Sequence, residues 1–395
     1  MIFAYYIIPA NSLGPIISTD ISSAIRLGSI TGLADEAELG AVGEGNLVFD
    51  DPDGTFGHLS DGLIGLKRLI INETDCPAGS IRLFSGWIGD RRYHRGDTEP
   101  GGTQSSLITT VARKIDTTLV DENALGTFRV FAPVALEPTW SFVRPAETDI
   151  ARITALLAVA FVATSLFNVG YVNTVGPVNM DANDYTGSTI SEVLNDCSQQ
   201  SGKNFFIMWN PNEADPKNVL WYDKYSSDGS ATIPFDSTLR LTNIESEVDN
   251  AVTFAIEPNA VATLDPSRIQ AGVYLPYSGG TTYRKKVATE DAFAYRDGVA
   301  PSVTVKTLTK ANARADRYLN ENDTEAERIT CTVRLPSSKV TLIRAGMRLQ
   351  VWFTHLPNVQ GGYTWTRVLQ RTVRQDQQTE KFYWLDLELT PLPFV

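Results

Sequence analysis

The sequence predicts a mainly β chain with an α+β insertion. Two small β-barrel-like domains, over 1–145 and 236–395, flank a helix–strand module over 146–235. Three observations carry this. Short apolar or alternating runs recur every ten or so residues, separated by turn signals, as in a barrel or sandwich. Two helical patterns with capping residues then interrupt them in mid-chain. After about residue 235 the alternation returns, broken by one amphipathic helix at about 306–321. A length of 395 residues agrees with several domains.

In the first region the candidate strands are 3–8, 46–49, 67–71, 81–88, 107–111, 115–120 and 128–131. Turn signals lie between them at Asp53-Gly54, Pro77-Ala78-Gly79, Gly101-Gly102 and Leu125-Gly126. The segment 82–95, RLFSGWIGDRRYHR, reads as a strand with a glycine break. Gly86 and Gly89 there mark a bulge or a close backbone approach.

In the middle region Thr148 suits the cap of a helix whose first residue, Asp149, favours its positive end. The apolar run 153–167 extends that helix to about Phe167. The run is too short for a membrane span and carries Thr154, Thr164 and Ser165, so it reads as a buried helix. A second helix is expected over 189–200, capped by Ser188 or Thr189. Its apolar face is Ile190, Val193, Leu194 and Cys197, and Gly202 stops it. Strands at 205–209 and 219–222 follow, around the turn Asn210-Pro211-Asn212.

In the last region 239–244 and 252–256 read as strands. Residues 258–300 have weak periodicity but many aromatics, among them Tyr274, Tyr277, Tyr283 and Tyr295, which predicts an ordered excursion instead of a solvated linker. The helix that follows has Leu308, Ala311, Ala315, Tyr318 and Leu319 on its apolar side. Lys310, Arg314, Asp316 and Arg317 lie mostly opposite. Ile329, Cys331, Val333 and Leu335 then alternate with Arg328, Thr330, Thr332 and Arg334, the pattern of a half-buried antiparallel strand. Arg344-Ala345-Gly346 makes a turn into the strand of Met347, Leu349 and Val351. Strands at 363–373 and 382–389 close the chain. The last sets Phe382 and Trp384 on one face and Tyr383, Leu385, Leu387 and Leu389 on the other.

Chemistry-bearing patterns are sparse, and no catalytic, cofactor-binding or metal-binding residue is assigned. A net charge of −12 disfavours general nucleic-acid binding. The one dense basic cluster, Arg91, Arg92, His94 and Arg95, reads as a solvated loop. His58, His94 and His355 fall in no metal pattern. Neither a nucleophile elbow nor a P-loop occurs, and the glycine-rich 40–45 carries Glu44, which repels phosphate. Asp50, Asp51 and Asp53 before Gly54 suit a cation or a hairpin turn, but Phe49 and Ser60 break the EF-hand pattern. Asp121-Glu122, Glu245/Glu247 and Glu290-Asp291 read as solvated turns, and Arg95-Gly96-Asp97 as a chance tripeptide. Cys76, Cys197 and Cys331 are too few and too scattered for a disulfide framework, which predicts folding in a reducing cytoplasm. The apolar N-terminus lacks a basic n-region and a cleavage site, so no signal peptide is read there. The acceptor patterns at Asn72 and Asn322 therefore imply no glycosylation.

Three phrases, LTNIESEVDNAVTFAIEPN (241–259), VTVKTLTKANARADRYLNEND (303–323) and ERITCTVRLPSSKVTLIRAGMRLQVWF (327–353), resemble in their order the bacteriophage tail hub proteins, the minor tail or baseplate hub components of tailed phages. The turn R-x-G-x-x-L-x-V, here Arg344, Gly346, Leu349 and Val351, is part of that likeness. TGSTISEVLNDCSQQSGKNFFIMW (186–209) is similar to the module such proteins insert between their barrels, and FSGWIGDRRYHRG (84–96) to the hairpin of the first barrel. The resemblance implies a structural virion protein, not an enzyme, without cofactors. It implies a homotrimer at the distal tail tip, assembled in the host cytoplasm, that joins the sixfold tail tube to threefold components around the DNA exit channel. Implied partners are the distal tail or tail tube protein, the tape measure protein and tip or fibre proteins. DNA passes through without specific binding, and no membrane is spanned. The alternative is a receptor- or carbohydrate-binding tail tip component, with Tyr274, Tyr277, Tyr283 and Tyr295 as stacking platforms. A cell-wall hydrolase is the third reading.

Overall fold

One strand, Thr364–Gln375, organises the molecule. The computed structural model describes residues 2–8, 17–25, 29–37, 41–50, 68–76, 79–95, 112–121, 123–124, 141–159, 167–172, 174, 176–209, 218–224, 236–294, 296–300, 305–322, 326–356, 359, 361–376, 378–379 and 381–392. The expected strands at 107–111 and 128–131 lie outside them. Along one edge, Thr364–Gln375 pairs with Arg348–Trp352 through its first half and with Ile30–Glu36 through its second. Along the other edge it pairs with Phe382–Pro391 over most of its length. A strand of twelve residues is long enough to serve two short neighbours in succession.

The N-terminal strands therefore continue the C-terminal sheet. From Ile30–Glu36 the order runs through Glu44–Asp50, Ala112–Asp121, Gly79–Arg95, Arg68–Cys76, Ile2–Ile8 and Ile17–Asp20. In the other direction it runs through Arg348–Trp352 and Asp236–Thr242 to Thr253–Ala255. Phe382–Pro391 pairs onward with Ala326–Pro336, and that with Val261–Asp265. The C-terminal strands curl back on themselves. Ile256 bridges Val333, and Glu257 N donates to Thr332 O at 2.8 Å. Among the described residues no continuous ladder closes the ring, so the shape is barrel-like without being a closed barrel.

One apolar core fills both halves. Leu33, Leu47, Phe49, Phe84 and Leu119 from the N-terminal strands join Leu241, Val333, Val351, Val373, Tyr383 and Leu385. Each such side chain contributes about 1.5–3 kcal/mol through burial. The alternation expected in the last strand holds: Tyr383, Leu385, Leu387 and Leu389 are buried. Cys331 is buried on the apolar face of its strand. The strands Ile17–Asp20 and Ile30–Glu36 were not expected, because each is short and mixes glycine or polar residues into its run.

The middle module packs helices Asp149–Leu157 and Ile190–Ser201 on a sheet ordered Phe167–Val172, Asn218–Lys224, Lys203–Trp209. Thr148 caps the first helix, its hydroxyl accepting from Ala151 N at 3.2 Å. Thr189 caps the second in a reciprocal box with Glu192, and Gly202 ends it at φ +70°. The first helix corrects its expected length. It stops at Leu157, and Phe167 opens a strand that pairs in parallel with Asn218–Lys224. A continuous apolar run carries no period that separates buried helix from buried strand.

The excursion is ordered. Gly272–Tyr277 pairs with Gly280–Lys285 and with Asp297–Val299, and the short helix Val287–Phe293 lies between the last two in sequence. The helix Leu308–Glu321, capped by Thr307, covers one face of that sheet. Val273, Leu275, Ala300, Val305, Ala311, Ala315 and Leu319 form a core of their own. Leu308 departs from the expected apolar face. It is the first residue of the helix and is exposed, whereas Arg314, expected opposite, is buried.

Candidate functional site

The residues singled out by chemistry do not converge. Arg91, Arg92, His94 and Arg95 lie on the end of the strand Gly79–Arg95, so the basic cluster is not the loop expected; Arg92 is exposed. The side chains of His94 and Arg95 lie outside the described residues, as do His58 and all of 51–55; Asp50 ends the strand before them. His355 bridges two loops, with Nε2 3.0 Å from Ala260 O and Nδ1 2.9 Å from Asn243 Nδ2. Cys197 and Cys331 are buried free thiols, and burial pushes the Cys331 thiol up to about 12. Such a thiol is a poor nucleophile. Among the described residues no three of His, Cys, Asp and Glu are grouped to hold a metal ion, and no helix is long and apolar enough to cross a membrane.

Charge concentrates instead where the three regions meet. Arg371 lies fully buried on the central strand, in phase with Leu369 and Val373. Its guanidinium donates to the Ile343 carbonyl at 3.0 Å and to the carboxylate of Asp35 on the N-terminal strand. Arg344 is buried beside it. Burial, with Arg371 and Arg82 nearby, pulls the Arg344 guanidinium down to about 9. Asp121 ties in the third region. Its carboxylate accepts from Glu36 N at 2.9 Å and from Asn123 Nδ2 at 2.9 Å, while Asn123 Oδ1 accepts from Ile207 N at 2.6 Å. Burial pushes the Asp121 carboxyl up against the pull of those donors. Asn204 Nδ2 donates to Ala37 O at 3.1 Å. Gly346 sits here too, at φ +85°, and a Cβ there would stand 2.2 Å from the Phe206 ring. The turn Arg344-Ala345-Gly346 is thus a seat for the middle module, not a reactive loop.

The glycine break in 82–95 has the same character. A Cβ on Gly86 would meet Val120 O at 2.3 Å, and the ladder slips by a bulge between Ile88 and Arg91, around Gly89. Both readings, bulge and close approach, hold there.

A second buried network holds the middle module. Lys203 Nζ lies 2.9 Å from Asp149 Oδ2, with both side chains wholly buried. Tyr222 Oη donates to the same oxygen at 3.0 Å and lies 2.6 Å from Ser201 Oγ. Arg152 reaches Tyr185 Oη at 2.8 Å and the Asp181 carbonyl at 2.7 Å. These groups are buried and hydrogen-bonded to neighbours within the module, so the network specifies packing. The sequence carries a signal for both networks that belongs to no motif. Lys203 is in phase with Phe205 and Ile207, and Arg371 with Val373. A basic residue on the buried phase of a strand requires an internal anion.

Two surface features remain. An open groove of about 770 Å³ is lined by Ile30, Thr31, Arg334, Arg374, Asp376 and Trp384. Arg334 stacks on Phe382 with its guanidinium 4.2 Å from the ring centre and pairs with Asp376 at 2.7 Å. Arg and Trp are enriched at protein interfaces, so the groove has the composition of a contact surface. On the excursion, Val299, Tyr274 and Tyr283 are cross-strand neighbours in one exposed row, and the two tyrosine rings lie 4.6 Å apart. Tyr277 instead packs against the excursion's core, and Tyr295 lies outside the described residues.

No protein-family model matches the chain, and no curated protein matches it in sequence. Solved structures match it over nearly its whole length. The tail protein from Neisseria meningitidis MC58 has a TM-score of 0.56 at 12% identity, covering 98% of this chain and 96% of that one. The 43 kDa tail protein of prophage MuSo2 from Shewanella oneidensis has a TM-score of 0.53 at 13% identity, covering 98% and 97%. The Francisella PdpA-VgrG complex, lidded, contains a chain with a TM-score of 0.52 at 10% identity; all of this chain is covered, and 53% of that one. At such identities the likeness is one of fold. The chain has the mainly β fold of phage tail proteins, which its sequence resemblance implied.

Proposed function

We propose that the chain is a structural component of a phage tail, acting as a homotrimeric hub at the distal tip. The observation that carries this is the match of nearly the whole chain, at TM-scores of 0.56 and 0.53, to tail proteins that are themselves covered over 96% and 97% of their length. The junction chemistry supports it, because the buried Arg371–Asp35 pair fixes the C-terminal strands against the N-terminal ones and Asn123 fixes these to Ile207. In this role three copies join the sixfold tail tube to threefold tip components around the DNA channel. The neighbours are the distal tail or tube protein, the tape measure protein and tip or fibre proteins. No reaction is assigned to the chain. The net charge of −12 suits a channel that must not retain DNA.

Light scattering on the purified chain tests the assembly: the expected mass is three times 43.4 kDa. Immunogold labelling of virions tests the place, with label expected at the far end of the tail. Label on the capsid, or a chain that stays at 43.4 kDa at all concentrations, rejects the reading. A second reading, receptor or carbohydrate binding, is favoured only by the exposed Tyr274–Tyr283 pair, since aromatic faces stack on sugar rings. Glycan-array binding that disappears in Tyr274→Ala would support it.

A further inference from the structure

Residues 266–322 are joined to the body in an unusual way. The chain enters them through Val261–Asp265 and leaves through Ala326–Thr330, and these two segments are paired side by side, Asp265 opposite Ala326. The base is closed by Gln270 N, which donates to Asn322 O at 2.7 Å. Beyond this two-strand stalk the segment has its own apolar core, and among the described residues no apolar cluster spans it and the body. The contacts described between it and the middle module are polar. Lys306 N donates to Asp181 Oδ2 at 2.9 Å, Lys310 Nζ to Asp181 Oδ1 at 2.6 Å, Lys306 Nζ to Ala182 O at 2.6 Å, and Arg317 to Gln200 O. Among the described residues, eight of the eleven large apolar side chains found exposed, including Tyr274, Tyr283, Phe293 and Val299, lie between 261 and 308.

We propose that the described residues between 266 and 322 form an arm that releases from the middle module as an intact body, with Asp181 as the latch and the two-strand stalk as the hinge. Polar contacts exchange readily for water, whereas an apolar seam does not. An independent core lets the arm move without unfolding. One carboxylate takes two of the four hydrogen bonds described here, so a single charge reversal removes both.

The test uses the full chain carrying Cys76→Ser, spin-labelled at Ala151→Cys and Val299→Cys, diluted with unlabelled chain, and measured by pulsed electron paramagnetic resonance. Cys197 and Cys331 are buried and stay unlabelled. One dominant distance is expected in this chain. In Asp181→Lys a second, displaced population is expected to rise about tenfold or more, and in the milder Lys310→Ala by a smaller factor. Amide exchange at Val273, Leu275, Ala311 and Ala315 should stay unchanged, because the arm's core is not touched. A single unchanged distance in both variants overturns the proposal, and so does faster exchange at those four amides, which would mean that the arm unfolds instead of swinging. Should Asp181→Lys fail to fold, the Lys310→Ala distances alone decide.

Discussion

At the scale of single residues the decisive positions are a glycine and an arginine at the same junction. Gly346 holds a left-handed backbone and leaves room for the Phe206 ring. Gly346→Ala incurs both the backbone strain and a clash, and should lower the unfolding free energy by roughly 1–3 kcal/mol in urea titration. Arg371 satisfies Asp35 and the carbonyls of Val340 and Ile343 from inside the core. Arg371→Met keeps most of the volume but strands those groups. A loss of about 3–5 kcal/mol is expected by the same titration, and a change under ~1 kcal/mol would contradict the view that the ion pair organises the junction. The sequence made the turn at Gly346 legible, since Gly after Arg-Ala between two strands is a local signal. It did not disclose Asp35 as the partner of Arg371, because the two lie far apart in the chain and carry no shared local pattern.

At the scale of elements, legibility follows how local the determinants are. The helix Ile190–Ser201 was readable to within a residue, because its cap, its apolar stripe and its terminal glycine all lie inside it. Thr189→Ala removes half of its capping box and should cost about 1 kcal/mol by chemical denaturation. The apolar pattern runs past the end of the helix Asp149–Leu157, because the residues after it serve a strand whose existence depends on Asn218–Lys224. The three strands of the excursion escaped recognition for a related reason. One face of that sheet meets a helix and the other meets water while carrying Tyr274, Tyr283 and Val299, so apolar residues occupy both phases and the alternation vanishes. Strand Ile30–Glu36 is the hardest case, since its role is to pair with residues at the other end of the chain.

At the scale of the whole molecule, the order of soft motifs conveyed the fold, while the continuity of its sheet was invisible. Barrel-like runs at both ends suggested separate bodies; the structure runs one sheet and one core through both. Acid stability is also a property of the whole. The Arg144 hydrogen bond holds the Glu147 carboxyl low, and the Gln378 N–H and Arg334 do the same for Asp376. Burial would raise Asp386, but Arg374 and Thr332 prevail and hold it low. A depressed folded value contributes stability above the ordinary carboxylate range, near pH 4, and that contribution disappears as pH falls through the folded value. Asp121, pushed up by burial, works in the opposite sense. Asp181, Asp184 and Asp249 are held low as well, so with six depressed carboxylates against one among the described residues, melting temperature should fall between about pH 5 and pH 3, and Glu147→Gln should flatten that limb.

The strand Thr364–Gln375 also has a mechanical meaning. Its hydrogen bonds reach Ile30–Glu36 and Arg348–Trp352 on one edge and Phe382–Pro391 on the other. A pull applied between the two ends of the molecule is therefore carried by main-chain ladders in a single sheet instead of by a soft tether. Under load the halves should give way together, in one rupture event.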